Sequence, residues 1–334
     1  MPCYRYGAMR RVFFITLKFP PSSDIGAKRP LRMVRRLPRL GWQPYVFTNP
    51  ESRAQPDHDL ASLVPAGLEV DRRYARGPYY RLVDGLKAAW SRDVGRDIGV
   101  PQRLAAAPES RWTRIRRRAI YGAENVAQGL NVTDEWWPLL PAAAITALGV
   151  IRSGDFQAIY VCGDPNSPYV TGWILSRVTK LPLVIDMRDP WTLDPTIRAL
   201  KYPHTRRIET AIESRIFSDA AAVVLNTGRS RQAYERAYPW LDRGKLHVIH
   251  NAFDPELVRD EDADPDPVFT VAHFGHYHRL RSARVFLEGL RRFMDAERLR
   301  PGDVRFVNYG EFIPADLAFA REIGLGGVVD PRPP

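Results

Sequence analysis

The stretch Leu183-Val184-Ile185-Asp186-Met187-Arg188-Asp189-Pro190-Trp191 decides the fold of this chain. Its continuous apolar start is typical of a strand in a parallel sheet that helices cover on both faces. Pro190 ends regular strand pairing, and two carboxylates and a guanidinium lie just before it. Ligands of open α/β sheets bind outside the carboxyl ends of the strands, so we predict that Asp186, Arg188 and Asp189 lie at a functional site. The same charges also allow a simpler interpretation, an ion cluster that only fixes a loop.

The bulk composition indicates a globular protein of roughly two domains, since the chain has 334 residues, of which 45% are hydrophobic. No apolar run approaches the ~20 residues of a membrane span. We expect no secretory signal, because the N-terminal apolar run is short and no small-residue cleavage site follows it. The two cysteines, Cys3 and Cys162, give neither a disulfide framework nor a metal-binding spacing. A cytoplasmic location is therefore expected.

The positive charge is concentrated in the first part of the chain. Residues 1–120 contain 24 Lys and Arg against 10 Asp and Glu, a net +14, which leaves −3 for the rest of a chain that totals +11. Such a basic half predicts an anionic partner. Nucleic acid, an anionic membrane surface and phosphorylated substrates all qualify on charge. Arginines interleaved with aromatic residues continue through residues 72–120, a composition that suits anionic lipid and single-stranded nucleic acid. Nucleic acid is not expected as a partner, since no nucleic-acid-binding module is recognisable.

The first elements form a β-loop-α-β unit. Residues 11–16 predict a buried strand, residues 27–40 a helix and residues 45–48 the next strand. The intervening loop contains Gly26, which permits close backbone approach just before a helix start whose amide groups favour anions. An ordinary turn is the alternative interpretation of this loop.

The remaining pattern alternates strands and helices, as parallel sheets require. Strands are predicted over residues 158–162, 183–186, 220–225, 246–249, 268–274, 304–308 and 328–329, and helices over residues 79–92, 110–129, 169–180, 204–217, 230–238, 282–294 and 315–323, with one more ending near residue 151. In the helix over 204–217 we expect the isoleucines to face the core and the glutamates to face solvent. These are Ile208, Ile212 and Ile216, and Glu209 and Glu213.

Residues 260–267 have the composition of a linker, since they include four aspartates, a glutamate and two prolines. We therefore predict a Rossmann-like first domain over residues 9–259 and a second domain over residues 268–334.

Four motifs, in this order, resemble those of family 4 glycosyltransferases. They are Phe19-Pro20-Pro21 followed by Gly26 and Arg29-Pro30, then Asp186-Met187-Arg188-Asp189-Pro190-Trp191, His250-Asn251-Ala252-Phe253-Asp254 and His273-Phe274-Gly275-His276-Tyr277. The third motif usually has glycine where this chain has Ala252. The resemblance covers nearly the whole chain. It implies the GT-B architecture, an α/β fold with two Rossmann-like parallel-sheet domains facing across a cleft.

The resemblance also implies a function, transfer of a sugar from a nucleotide-sugar donor to an acceptor. The anomeric configuration would be retained, without a metal ion and without any cofactor besides the donor as co-substrate. The resemblance assigns three groups of residues. The catalytic residues would be Asp186, Arg188 and Asp189; the donor phosphates would contact Gly26, Gly275, Arg279 and Arg281; and the rest of the cleft would include Lys28, Arg29, Asn251 and Glu311. Fixed cations of this kind stabilise the charge of a departing nucleoside diphosphate.

The expected acceptor is a glycan or a lipid-linked precursor of a polysaccharide or glycolipid. A cytoplasmic protein with this acceptor could lie peripherally at the inner face of the membrane, held through its basic N-terminal half.

The second domain is expected to be incomplete, because residues 268–334 are fewer than the ~100–150 of a usual domain. The family's two glutamates, seven residues apart on a later helix, have no counterpart before Pro334. We therefore expect a fragment of a longer enzyme, with a second sheet of about three strands and exposed edges. The alternative is a non-catalytic remnant that binds an acceptor or a membrane and lacks a complete donor site.

Overall fold

The computed structural model describes residues 9–50, 56–74, 132–134, 136–195, 198, 201–253, 267–278 and 281–332. The chain divides into two compact units, Met1–Pro255 and Glu256–Pro334. The helices predicted over residues 79–92 and 110–129, most of the linker over 260–267 and Arg279 lie outside the described residues.

A seven-stranded parallel sheet forms the centre of the first unit. Its strands are β1 (Arg10–Ile15), β2 (Trp42–Phe47), β3 (Glu69–Asp71), β4 (Phe156–Cys162), β5 (Leu183–Met187), β6 (Ala222–Leu225) and β7 (Leu246–Val248). Across the sheet the order is β3-β2-β1-β4-β5-β6-β7. The order therefore reverses between β1 and β4, and such a switch point is where open α/β sheets bind ligands.

Helices connect these strands. Those with described bounds are α1 (Lys28–Arg36), α2 (His58–Ser62), α3 (Leu140–Ser153), α4 (Ser167–Thr179), α5 (Pro203–Asp219) and α6 (Gly228–Ala237). The helix predicted over residues 27–40 is α1 followed by a 3₁₀ turn, Leu37–Leu40. Gly41 has a left-handed φ of 78°, and its N–H bonds back to the turn, which explains why the helical segment ends there.

Strand β5 has the position that its sequence predicts. Leu183, Ile185 and Met187 are almost fully buried, and β5 pairs in parallel with β4 on one side and β6 on the other. Because both neighbours are strands and the side chains are covered, the strand needs apolar residues without polar alternation.

The expected orientation of α5 is wrong. Glu209 and Glu213 are 3% and 0% exposed, whereas Ile208 is 43% exposed. Only Ile216 of the three isoleucines is fully buried, at 1% exposure. The helix therefore turns two carboxyl groups toward the interior, against the preference that hydropathy alone indicates.

Hydrogen bonds to Glu213 explain this orientation. The hydroxyls of Tyr234 and Tyr238 donate to its carboxyl oxygens at 2.8 and 2.7 Å, and the hydroxyl of Thr192 donates as well. The N–H of Thr192 adds a longer bond of 3.3 Å. A buried carboxyl group is tolerated when donors of this kind replace water.

The second unit contains a three-stranded parallel sheet. Its elements are β8 (Phe269–Phe274), α7 (Arg284–Ala296), β9 (Val304–Tyr309), α8 (Pro314–Glu322) and β10 (Val329–Arg332), and the strand order is β10-β9-β8. Leu287, Met294 and Phe306 form its core. On the edge strand β8, Phe269 and Phe274 are 60% and 77% exposed. The predicted fold class, α/β with two parallel sheets of which the second is small, is confirmed.

Two short elements were not predicted, the strand β3 and the helix α2. The strand β3 is only three residues long and has charged residues, Glu69 and Asp71, at both ends, so its sequence lacks the apolar run that predicts a buried strand. Within the described ranges no helix has both the length and the apolar character that crossing a membrane needs.

Glu213→Ala should lower the free energy of unfolding by about 3 kcal/mol, because the hydroxyls of Thr192, Tyr234 and Tyr238 lose their buried acceptor. Urea unfolding followed by circular dichroism measures the change. The control is Glu235→Ala, which removes a partly exposed carboxylate paired with Arg231 on α6 and should cost about 0.5 kcal/mol or less. Equal losses for the two variants would show that the hydrogen bonds to Glu213 do not stabilise the buried position of this face of α5.

The stability should also depend on pH through Glu213. Burial raises the pKa of Glu213, and this effect outweighs the hydroxyl donors that lower it. A raised pKa means that the folded protein holds the proton more tightly than the unfolded chain. The stabilising contribution of the neutral carboxyl is therefore complete below the unfolded pKa of ~4.3 and is lost as the pH rises through the folded pKa.

Glu213→Gln keeps a neutral side chain at every pH and provides the comparison. As the pH rises above the unfolded pKa of ~4.3, the wild-type free energy of unfolding should fall relative to that of the Gln variant. Urea titrations at several pH values measure both. Parallel curves would contradict the raised pKa.

Candidate functional site

The loops after β1 and β4 meet at the switch point of the first sheet. Nζ of Lys18 lies 3.0 Å from Oδ2 of Asp164 and 3.1 Å from Oδ2 of Asp24. Burial lowers the pKa of Lys18, but the hydrogen bonds and charges of Asp164 and Asp24 outweigh burial, so the pKa is raised. Asp164 has a φ of 131°, a costly conformation for a residue with a side chain. A charged lysine thus joins the two loops that border the switch point.

Gly26 lies beside this lysine and has no room for a side chain. It is buried in a 3₁₀ turn, Ile25–Ala27, just before α1. A Cβ at this position would overlap the side chain of Lys18 and lie 2.6 Å from Nη1 of Arg188. The N–H of Gly26 already donates to Oδ1 of Asp24 at 2.7 Å. The glycine therefore contributes space for two cationic side chains, and not an open amide donor.

Arg188 and Asp189 follow β5 directly. Arg188 is partly buried, and its guanidinium packs against Gly26. Its Nε is buried and has no hydrogen-bond partner among the described residues. An unsatisfied buried donor costs about 1–3 kcal/mol, so a ligand oxygen that bonded to it would relieve this cost. Asp189 is exposed, and Lys28, at the start of α1, is partly exposed.

Arg29 and Asp186 form a buried ion pair at the same edge of the sheet. Nη2 of Arg29 lies 2.7 Å from Oδ1 of Asp186, and Nε lies 3.0 Å from Oδ2, which is a bidentate arrangement. The two residues are 4% and 0% exposed. The hydroxyl of Tyr160 donates to Asp186 at 2.9 Å. The pair thus ties α1 to strands β4 and β5.

The pair extends to the loop after β7. Nη1 of Arg29 donates to Oδ1 of Asn251 at 3.1 Å, and the N–H of Asn251 donates to Oδ1 of Asn226 at 2.9 Å. Asn226 directly follows β6. The guanidinium of Arg29 therefore helps to connect the carboxyl ends of β5, β6 and β7.

Protonation in this region follows from burial and from the charge of Asp186. Burial lowers the pKa of Arg29, but Asp186 outweighs it, and the pKa is raised. Burial, followed by the charge of Asp186, raises the pKa values of Tyr160 and Cys162 well above their ordinary values. The tyrosine and the thiol therefore stay neutral, and the ion pair carries the local charge.

Burial divides the three residues that were predicted to be catalytic into two groups. Asp186 has no exposed surface, and its carboxylate is occupied by Arg29 and Tyr160, which corresponds to the simpler interpretation of an ion cluster that fixes a loop. Arg188 is partly buried and Asp189 is exposed, and their catalytic roles stay predictions.

In the second unit, the loops after β8 and β9 touch each other. Gly275 has a φ of 151° and Gly310 a φ of 138°, both left-handed. A Cβ on Gly310 would overlap the carbonyl oxygen of Gly275. The N–H of Tyr277 donates to the carbonyl oxygen of Glu311 at 2.9 Å. The predicted site residues Gly275 and Glu311 are thus neighbours, because two glycines allow their loops to meet.

Arg281 is exposed and closes a short turn, in which its N–H donates to the carbonyl oxygen of His278 at 2.7 Å. The hydroxyl of Ser282 and the N–H of Ala283 each donate to Oδ2 of Asp316 at 2.8 Å. Asp316 therefore fixes the start of α7. Ser282 therefore has a structural contact with α8.

Lys18, Asp24 and Asp164 were not predicted as members of the site. A usable signal existed, because Lys18 and Asp164 are charged residues that closely follow strands bordering the switch point. In the described part of the chain, no three His, Cys, Asp or Glu side chains are grouped closely enough to hold a metal ion.

Arg29→Ala should lower the free energy of unfolding by about 3–5 kcal/mol, because it leaves the Asp186 carboxylate buried without its cation. The double variant Arg29→Ala/Asp186→Ala should recover part of this loss, since no charge is then left unpaired. Urea unfolding measures both variants, with Arg36→Ala, an exposed position on α1, as the matched control. A loss no greater than that of the control would contradict the structural role of the pair.

Comparisons with known proteins support the fold. No protein-family model matches the chain, and no curated protein matches it. A solved structure from Listeria monocytogenes, assigned as a UDP-N-acetylglucosamine 2-epimerase, is similar with a TM-score of 0.50 at 12% identity and covers 98% of this chain and 70% of its own. The N-terminal domain of Candida albicans trehalose-6-phosphate phosphatase has a TM-score of 0.53 at 9% identity, with 98% and 74% coverage. Together with the two parallel sheets, these similarities show a GT-B-like α/β fold.

Proposed function

We propose that this chain acts on a nucleotide-sugar, as a GT-B glycosyltransferase that moves the sugar to a polysaccharide or glycolipid precursor. The observation that carries the proposal is the arrangement of Lys18, Gly26 and Arg188 at the switch point. The guanidinium of Arg188 packs on a glycine that leaves it room, and its Nε has no partner among the described residues. An oxygen-rich anion, such as a diphosphate, is the ligand that such a donor suits.

The chemistry of sugar transfer gives this cation a role. When the bond between the sugar and the diphosphate breaks, negative charge develops on the departing phosphate oxygens. A guanidinium that is already fixed by packing stabilises this charge without reorganisation. We assign Arg188 to this role. The next residue, Asp189, has an exposed carboxylate, and we place it near the acceptor hydroxyl. Asp186 acts as a positioning residue, because it holds Arg29 and the end of β5.

The second unit would contribute the loop with Gly275, Arg279 and Arg281, and the adjoining Glu311, to the donor. The contact between the loops after β8 and β9 supports this assignment, because it gathers backbone groups and Glu311 at the strand ends, where nucleotide folds bind ligands. We propose UDP as the nucleotide, because the structurally similar Listeria protein is named for a UDP-sugar.

Several further features belong to the same proposal. The transfer would retain the anomeric configuration and would need no metal ion. The acceptor would be a glycan or a lipid-linked glycan, reached at the cytoplasmic face of a membrane. The excess of Lys and Arg in residues 1–120 supports attraction to an anionic membrane surface.

A non-catalytic acceptor- or membrane-binding protein is the second candidate. The edge strand β8 favours it, because Phe269 and Phe274 on this strand are exposed, and an exposed apolar edge is a surface that a partner can cover. Calorimetry with UDP separates the two candidates. Binding of UDP supports the glycosyltransferase, and a lack of UDP binding supports the non-catalytic protein.

Arg188→Ala should lower kcat/KM for transfer or donor hydrolysis by about 100-fold, because the charge of the departing diphosphate loses its fixed cation. A panel of nucleotide-sugars, with chromatography of the released sugars, measures transfer, hydrolysis and epimerisation in one assay. Arg36→Ala, which removes an exposed arginine near the end of α1, is the matched control and should change kcat/KM less than two-fold. Equal losses would mean that the switch point at Arg188 is not the donor site.

A further inference from the structure

Asp24 bonds to two donor groups of the switch point at once. Its Oδ1 accepts the N–H of Gly26 at 2.7 Å, and its Oδ2 lies 3.1 Å from Nζ of Lys18. Backbone amides and lysine ammonium groups are donors with which proteins commonly bind phosphate. The anion that these two donors hold here is a carboxylate of the protein itself.

A second turn of the same kind shows which of these contacts the backbone needs. Asp242 accepts the N–H of Gly244 at 2.8 Å and starts a 3₁₀ turn, just as Asp24 does. Among the described residues Asp242 forms no ion pair, so one carboxylate oxygen is sufficient for such a turn. The contact between Asp24 and Lys18 is therefore an addition that the turn does not require.

A third donor group, the guanidinium of Arg188, lies beside the same position. A Cβ on Gly26 would lie 2.6 Å from Nη1 of Arg188 and 2.9 Å from Oδ1 of Asp24, so both atoms border the space next to this glycine. In the described part of the chain no ion pair joins Arg188 to Asp24, and Nε of Arg188 has no hydrogen-bond partner. Asp24 thus satisfies two of the three donor groups and leaves the third open.

A phosphate group matches these donors better than a carboxylate does. A carboxylate has two oxygens, and Gly26 and Lys18 already use both of them. A terminal phosphate has three strong acceptor oxygens, so it can bond to Gly26, Lys18 and Arg188 together. An exchange of the carboxylate for a phosphate would therefore also satisfy the donor that Asp24 leaves open.

The Asp24 side chain can leave its place at low cost. It is 40% exposed, so its carboxylate regains water when it moves away. The backbone keeps the turn without it, because the N–H of Ala27 donates to the carbonyl oxygen of Asp24 at 2.8 Å. Asp186 is the contrast, since its carboxylate is fully buried and paired and is costly to separate from its partner.

Lys18 keeps its position during such an exchange. Asp164, on the loop after β4, has its Oδ2 3.0 Å from Nζ of Lys18. An ammonium group has three donors, so Lys18 can bond to Asp164 and to a phosphate oxygen at the same time. The lysine therefore stays paired and oriented while its other partner changes.

We propose that the Asp24 carboxylate occupies the place of a donor phosphate and that the nucleotide-sugar displaces it on binding. This inference rests on the proposed function, because it describes how the same site is regulated. Only the fraction of molecules in which Asp24 has left its place binds the diphosphate, so the apparent affinity is reduced by that fraction. Asp24 is thus an internal competitor of the donor.

Calorimetric titration of the full chain with inorganic pyrophosphate tests the proposal, counting only the binding that Arg188→Gln removes. Asp24→Ala should bind about 10-fold more tightly than the wild type, because it removes the competing charge and also frees the N–H of Gly26. Asp24→Asn removes the same charge but keeps an oxygen that accepts this N–H, so its gain should be only about three-fold.

The difference between the two variants separates displacement from simple repulsion. If Asp24 only repels the ligand, both variants gain equally, because both lose one negative charge. If the carboxylate instead shapes the turn for the ligand, Asp24→Ala binds more weakly than the wild type. Either result would overturn the proposal.

The matched controls are Asp242→Ala and Asp242→Asn. They change the similar turn before β7, at the opposite end of the sheet, and should alter the affinity by about two-fold at most. A gain of about 10-fold in these controls as well would mean that the effect does not come from the site, and it too would contradict the role of Asp24.

Titration with UDP distinguishes this proposal from the proposed function. If pyrophosphate binding responds to the Asp24 variants as expected but no variant binds UDP, the donor assignment fails and the competition by Asp24 stands. If UDP binding depends on Arg188 but has the same affinity in all Asp24 variants, the donor assignment stands and the competition is wrong. A lack of pyrophosphate binding in both the wild type and Asp24→Ala also overturns the proposal.

Discussion

The buried ion pair between Arg29 and Asp186 is the constraint on which the first unit depends. A carboxylate at the end of a central strand is costly unless a cation replaces its water, and here the cation comes from the first helix. Because the guanidinium has several donors in fixed geometry, it also reaches Asn251 after β7. One arginine therefore sets the positions of loops that are far apart in the sequence.

The same end of the sheet holds the other charged residues of the switch point. Arg188, two residues after Asp186, packs against Gly26, where the lack of a side chain leaves it room. Lys18 joins the neighbouring loops through Asp24 and Asp164. The buried pair contributes order, whereas Arg188 and Asp189 are at least partly exposed. The division follows from burial, because a fully desolvated and paired group cannot contact a ligand without first breaking its pair.

Much of this arrangement could be predicted from the sequence, because it depends on local patterns. The apolar start of β5 and the charges after it predict a strand and a polar loop, which the structure confirms, and Gly26 and Arg188, which the sequence indicates separately, are in contact. The orientation of α5 could not be predicted in this way. Glu209 and Glu213 are buried because donors from distant parts of the chain, Trp191 and Tyr234 among them, meet them there. Hydropathy contains no information about such partners.

The buried carboxyl group on α5 has a consequence for folding itself. Burial raises the pKa of Glu213, so the folded first unit binds a proton at this position more tightly than the unfolded chain does. Folding therefore takes up a proton from solution through this one residue, and a helix placed by hydrogen bonds is also coupled to the acidity of its surroundings.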